Sequence, residues 1–128
     1  MAAADRPVDK PRPVYLNLFA IRQPLPAIAS ILHRISGALL FLAGIPLLLW
    51  GVQRSLASPE GFAAATAPLG KLVFLVLAWC YVFHLLAGLR HLALDLHIGI
   101  GLAPARGSAA LVLVLSILLA LIVAVRLW

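Results

Sequence analysis

The residues best suited to chemistry lie towards the end of a long apolar run that begins at Leu72. His84, Gly88, His91 and Asp95 are spaced by four, three and four positions, which places them on one face of an α-helix. A histidine in such an apolar helix is costly unless its ring has a partner. Two interpretations are open. His84 ligates a haem iron and Gly88 leaves room for the flat ring, or His84 bonds a neighbouring helix and Gly88 allows close helix contact.

The composition indicates an integral membrane protein. The chain has 128 residues, of which 64% are hydrophobic and 11% charged, whereas soluble domains carry about 25% charged residues. The formal net charge is +6, but the basic residues lie at the ends of apolar runs and form no stripe with interleaved aromatics. Nucleic acid is therefore not an expected partner. A single cysteine, Cys80, excludes an intrachain disulfide and a CxxCH attachment, so any haem would be held non-covalently.

The hydropathy pattern predicts an all-α fold with three transmembrane helices in one domain, residues 27–128. The spans are expected at about residues 27–52, 70–95 and 108–126, with a loop over 53–70 and a short turn over 98–107. Residues 1–26 are expected to form a polar tail and an interfacial segment, Val14–Leu25, on the membrane or against a soluble partner. Pro46 is expected to kink the first span. Ser30, Gly37, Gly44 and Gly51 recur every seven residues on that span. Such a stripe lets helices or a cofactor approach closely, and we interpret the glycines as helix packing.

The basic residues are distributed unequally between the two sides of a three-span protein. The side of the N-terminus carries Arg6, Lys10, Arg12, Arg22, Arg34, Arg90 and Arg106, and the other side carries Arg54, Lys71 and Arg126. This bias predicts a cytoplasmic N-terminus in a bacterial inner membrane. His33, Arg34, Arg90 and His91 then gather at the inner interface, with His84 about 10 Å deeper along its helix.

This cluster favours haem chemistry over the other kinds of site. Histidine ligates haem iron, and arginine or protonated histidine pairs with propionates. His84 and His91 cannot bind opposite sides of one iron, because they lie on the same side of one helix. The second axial ligand would come from His33 or, better, from a second subunit. No His/Cys/carboxylate set has zinc spacing, and no nucleophile–base pair or phosphate loop is present.

The chain also resembles the cytochrome b membrane-anchor subunit of succinate dehydrogenase, respiratory complex II. The resemblance rests on three stretches in the same order: Arg12-Pro13-x-Tyr-Leu-Asn-Leu, Ser30-Ile-Leu-His-Arg-Ile-Ser-Gly37 and His84-x3-Gly88-x-Arg90-His91-Leu-x2-Asp95. It covers nearly the whole chain and includes the three spans. It implies one b-type haem shared by two small membrane subunits, each giving one axial histidine. His84 matches this subunit's ligand, and His33, His91 and Arg90 match positions near the propionates.

The resemblance further implies a ubiquinone site at the inner membrane face, near the iron–sulfur subunit. Ser30 and Arg34 match this subunit's contribution to it. Electrons would arrive from succinate through a flavoprotein and the iron–sulfur subunit and reduce ubiquinone to ubiquinol. This chain would do no succinate chemistry itself.

Other interpretations stay open at the level of sequence. Ser30 could cap the first helix, and Arg34 could be an interfacial cation that sets the topology. His91, Asp95 and His97 could simply form a solvated helix end. The rival functions are an anchor of another respiratory enzyme, such as fumarate reductase or a hydrogenase, and a haem-free structural or transport subunit.

Overall fold

The computed structural model describes residues 20–128, so most of the expected interfacial segment lies outside the described residues. Over this range the chain is all helical apart from short connections, with no strand. The predicted all-α class is confirmed. The elements are α1 (Leu25–Leu39), a π-helical turn (Leu40–Gly44), α2 (Ile45–Ala57), α3 (Pro59–Thr66), α4 (Pro68–Asp95) and α5 (Leu102–Leu127). Three helical stretches are long and apolar enough to cross a membrane: Leu25–Ala57, Pro68–Asp95 and Leu102–Leu127.

The first span changes its winding just before Pro46. Proline has no N–H to donate, and its ring collides with the carbonyl four residues earlier, so a regular α-helix is disturbed there. The chain adapts in the π-helical turn, where the N–H of Ile45 donates to the carbonyl of Leu40, five residues back. The disturbance expected at Pro46 thus takes the form of a π-helical turn between α1 and α2.

The expected loop over residues 53–70 is wrong, because most of this stretch is helical. α2 continues to Ala57, and α3 begins directly after Ser58. The Ser58 hydroxyl accepts a hydrogen bond from the N–H of Gly61 at 3.0 Å, as an N-cap does. Pro59 suits the first helical position and Glu60 the positive end of the helix dipole. The Ser-Pro-Glu sequence is a helix start, and the alanines that follow extend it.

The connection between the second and third spans is shorter than the expected turn. α4 ends at Asp95, and His97 adopts a left-handed conformation with φ of 63°. The N–H groups of His97 and of the next residue bond carbonyls in the last turn at 2.9 Å each, which is a Schellman closure. α5 begins at Leu102, because Pro104 lies in a first turn where a missing N–H costs no helical bond.

α4 is the central helix and packs against both α1 and α5. The buried cluster consists of Phe83 and Ala87 of α4 with Val112 of α5. Most other large apolar side chains are exposed, which suits contact with lipid or with neighbouring membrane subunits. His84 follows the fully buried Phe83, so the packing of this cluster holds the part of α4 that carries His84 in place.

Candidate functional site

His84 is held by two oxygen atoms of α1. Its Nδ1 lies 2.9 Å from the carbonyl oxygen of His33 and 3.2 Å from the hydroxyl of Ser36. The carbonyl oxygen can only accept, so Nδ1 is the protonated nitrogen and Nε2 keeps its lone pair. A metal-ligating histidine commonly donates its other ring N–H to a backbone carbonyl in this way. The geometry therefore leaves Nε2 of His84 able to bind an iron ion.

Two glycines make room for the imidazole rings between α1 and α4. A Cβ atom on Gly37 would lie 2.6 Å from Cε1 of His84, well inside van der Waals contact. A Cβ atom on Gly88 would lie 3.5 Å from Nε2 of His33, which is an ordinary contact. Gly37 is thus required for the position of His84, whereas Gly88 leaves a space that the His33 ring partly uses.

The structure brings His33 of α1 together with His84 and His91, which share one face of α4. The rings of His33 and His84 stack with centroids 4.1 Å apart and planes inclined by 13°. The rings of His33 and His91 lie 5.0 Å apart at 45°. All three side chains are half-buried. The stack fixes the orientation of His84 from a second direction, in addition to its hydrogen bonds.

Ser30 and Arg34 lie one turn apart on α1, before and after His33. Ser30 does not cap the helix, because the N-cap is Pro24 and Ser30 is well inside α1. The hydroxyl of Ser30 has no hydrogen-bond partner among residues 20–128, whereas the other five serines each have one: Ser36, Ser55, Ser58, Ser108 and Ser116. Arg34 is exposed. A hydroxyl donor and a guanidinium are therefore both available at this end of the first span.

Arg90 is buried and directed towards α5. Its Nε donates to the hydroxyl of Ser108 at 3.0 Å, and one terminal nitrogen donates to the carbonyl of Ala105 at 3.2 Å. Arg90 is 8% exposed, so these bonds are shielded from water. The side chain joins α4 to the first turns of α5 through these two bonds. Asp95 and His97 are exposed at the end of α4 and take no part in the cluster.

Comparison with known proteins shows the family of the chain. The sequence model of the succinate dehydrogenase/fumarate reductase transmembrane subunit family matches residues 8–123. The chain belongs to this family. It is 37% identical over 115 residues to the succinate dehydrogenase cytochrome b556 subunit of Paracoccus denitrificans, covering 87% of this chain and 88% of that protein. It is 38% identical over 122 residues to the protein of the same name from Coxiella burnetii, covering 91% of this chain and 97% of that protein. The family membership expected from the three motifs is confirmed.

The sequence alone does not reveal that Ser36 and Gly37 lie next to the His84 ring. Both residues stand in the stretch that carries the resemblance, but the sevenfold spacing of Gly37 favours helix packing and nothing in the sequence indicates a function for Ser36. Ser36 lies three residues after His33 on the same helix, a spacing that allows its hydroxyl to reach the His33 carbonyl. Its contact with His84 joins residues 48 positions apart, and no pattern within one helix reveals such a pairing.

Arg90→Met is expected to destabilise the α4–α5 pair. The change removes two hydrogen bonds from a charged donor, each contributing about 1.5–3 kcal/mol in a buried site. The amount of assembled complex in the membrane and its thermal midpoint should both fall. Arg106→Met is the matched control, because Arg106 is also a cation near the start of α5 but is exposed. Equal behaviour of the two variants would show that the Arg90 contacts contribute no stability.

Proposed function

We propose that this chain is the haem b-binding membrane anchor of succinate dehydrogenase and forms part of its ubiquinone-reduction site. The observation that carries the proposal is the 2.9 Å contact between Nδ1 of His84 and the carbonyl of His33. This contact fixes the tautomer that leaves Nε2 free for iron. The family motif points to the same histidine.

The surroundings of His84 fit a haem. The ring is half-buried between two helices, its orientation is fixed on two sides, and the neighbouring glycine positions keep bulky side chains away. His84 would be the axial ligand, and His33, His91 and Arg90 would lie near the propionates. Arg90 uses two of its five N–H groups on α5, so three remain for an anion. When bound, a b-type haem accepts and releases one electron at its iron.

The second axial ligand requires another chain. His33 stacks face to face on His84, so it cannot bind the opposite side of an iron held by Nε2 of His84. His91 lies on the same side of the same helix as His84, so it also cannot bind the opposite side of that iron. We therefore infer that a second small membrane subunit supplies the other axial histidine. The exposed apolar surface of the three spans would be covered by that subunit and by lipid.

Ser30 and Arg34 would contribute to ubiquinone reduction. A quinone oxygen gains negative charge as it is reduced, and it then needs hydrogen-bond donors and positive charge. Ser30 offers a hydroxyl with no competing partner among residues 20–128, and Arg34 offers an exposed guanidinium one turn further on. The iron–sulfur subunit would dock on this side and deliver electrons that a flavoprotein subunit takes from succinate. This chain itself performs no succinate chemistry.

The proposed location is the bacterial inner membrane, with the quinone-site end facing the cytoplasm. The opposite end of the spans carries two interfacial cation–aromatic pairs, Arg54 with Trp50 and Lys71 with Trp128, each with the cation 5.6 Å from the ring centroid. Such pairs suit a membrane–water boundary. The three spans are thereby anchored at the outer surface, while the excess of basic residues lies at the inner one.

The orientation predicts a clear pattern of chemical labelling in cells. In a Cys80→Ala background, Gln53→Cys places a thiol on the outer side and Ile100→Cys places one in the α4–α5 turn, both at exposed positions. A membrane-impermeant maleimide applied to spheroplasts should label the first variant and not the second. Disrupted membranes should allow both to react. Labelling of only the Ile100 variant in intact spheroplasts would show that the topology is opposite to the one proposed.

The test of the proposed function is the optical spectrum of the purified complex. The dithionite-reduced wild-type complex should show a b-type absorption band, and His84→Ala should lose it or change it strongly because one axial ligand is gone. His97→Asn is the control, because His97 lies beyond α4 and asparagine tolerates its left-handed backbone. An unchanged spectrum and haem content in assembled His84→Ala complex would contradict the ligand assignment.

A further inference from the structure

Ser36 of α1 contacts both groups of the hydrogen bond between Nδ1 of His84 and the carbonyl of His33. Its hydroxyl donates to the carbonyl of His33 at 2.9 Å and lies 3.2 Å from Nδ1 of His84. The same carbonyl lies 2.9 Å from Nδ1 of His84. Three polar atoms thus form a closed triangle between α1 and α4, in which Ser36 is only 4% exposed.

The protons in this triangle can be assigned. The serine hydroxyl has one hydrogen, and the carbonyl, which has none, can only accept. If the hydroxyl donates to the carbonyl, its lone pairs face Nδ1 and can accept from it. The Nδ1–H of His84 is then shared between two acceptors. The alternative, an unprotonated Nδ1, would set its lone pair against the carbonyl oxygen at 2.9 Å and is electrostatically unfavourable.

We propose that Ser36 is a positioning residue that tunes the haem ligand: with the His33 carbonyl, its hydroxyl holds the Nδ1–H of His84 and thereby adjusts the haem potential. This inference rests on the proposed haem function. Acceptors at the second ring nitrogen raise the basicity of the ligating nitrogen. A more basic ligand stabilises the oxidised iron and lowers the midpoint potential. Removing one of the two acceptors should therefore raise the potential.

A second buried serine offers a matched control. Ser116 of α5 is 0% exposed and donates to the carbonyl of Leu113, three residues back, at 2.9 Å. Ser36 makes the same type of bond to its own helix. The two serines differ in that Ser36 also meets a histidine ring nitrogen. A purely structural role predicts equal effects of the two substitutions on the haem, whereas the proposed role predicts an effect of Ser36 alone.

The experiment compares Ser36→Ala, Ser36→Thr and Ser116→Ala in the intact complex by potentiometric titration and by electron paramagnetic resonance of the oxidised haem. Ser36→Ala should raise the midpoint potential and shift the g values, or lose haem if the ring rotates. Ser36→Thr keeps the hydroxyl and should restore most of the wild-type behaviour. Ser116→Ala should match the wild type.

Wild-type potential and g values in Ser36→Ala would overturn the positioning role, and so would equal changes in Ser36→Ala and Ser116→Ala. A wild-type complex without haem would instead overturn the proposed function, so the two failures are distinguishable.

Discussion

Gly37→Ala is expected to remove most of the haem from the complex. The added methyl group would lie 2.6 Å from Cε1 of His84, whereas carbon atoms pack at about 3.5–4.0 Å. The ring cannot retreat freely, because Nδ1 is held by α1 and one face is covered by His33. Either the imidazole leaves its position or the two helices separate. The measurement is haem content per complex from the reduced spectrum.

The other two glycines of the heptad stripe supply a graded control. A Cβ atom on Gly44 would lie 3.4 Å from side-chain atoms of Leu40 and Leu77, which is a close but ordinary contact. A Cβ atom on Gly51 would meet nothing within 4 Å inside this chain. Haem content should therefore follow the order Gly51→Ala, close to wild type, then Gly44→Ala, then Gly37→Ala. Equal haem loss in all three variants would mean that the stripe serves general helix packing.

Ser30→Ala is expected to lower quinone reduction about a hundredfold while the complex remains assembled. Loss of one hydrogen bond to a developing negative charge costs on the order of 3 kcal/mol, and Ser30 has no structural bond within residues 20–128 whose loss would confuse the result. Arg34→Ala should cost at least as much, because it removes the positive charge. The quantity to measure is the ratio of succinate–quinone to succinate–dye activity, since an artificial dye bypasses the quinone site.

Ser55→Ala and Arg54→Ala are suitable controls for that ratio. Both residues lie near the C-terminal end of α2, far along the first span from Ser30, where Ser55 bonds the carbonyl of Val52 and Arg54 lies against Trp50. Their substitution should leave the activity ratio at the wild-type value. A wild-type ratio in Ser30→Ala and Arg34→Ala as well would leave both residues without a part in quinone reduction.

The sequence predicted the features that depend on one helix at a time. Hydropathy located the three spans because crossing a bilayer requires a minimum apolar length. Helical periodicity placed His84 and His91 on one face because that face follows from the residue spacing alone. The helix at Pro59–Thr66 also has a local sequence signal, since Ser58 and Pro59 are typical of a helix start. The position of this segment between two apolar runs nevertheless predicts a loop there.

The contacts between helices could not be obtained in the same way. Which face of α1 meets His84 depends on how α1 packs against α4. Arg90 illustrates the difficulty, because its position beside His91 in the sequence suggested the histidine cluster. The next residue on a helix is rotated by about 100°, and this rotation brings Arg90 within reach of Ser108 of α5.

The π-helical turn at Leu40–Gly44 also affects how the first span tolerates insertions and deletions. A π-helical turn is equivalent to one extra residue in an α-helix, so in a variant without Pro46 the loss of one residue there can be absorbed by the turn closing into regular helix. The part before the turn, with Ser30, His33 and Ser36, and the part after it then both keep their orientation about the helix axis. The first span can therefore lose one residue at this turn without rotating the part that carries the site.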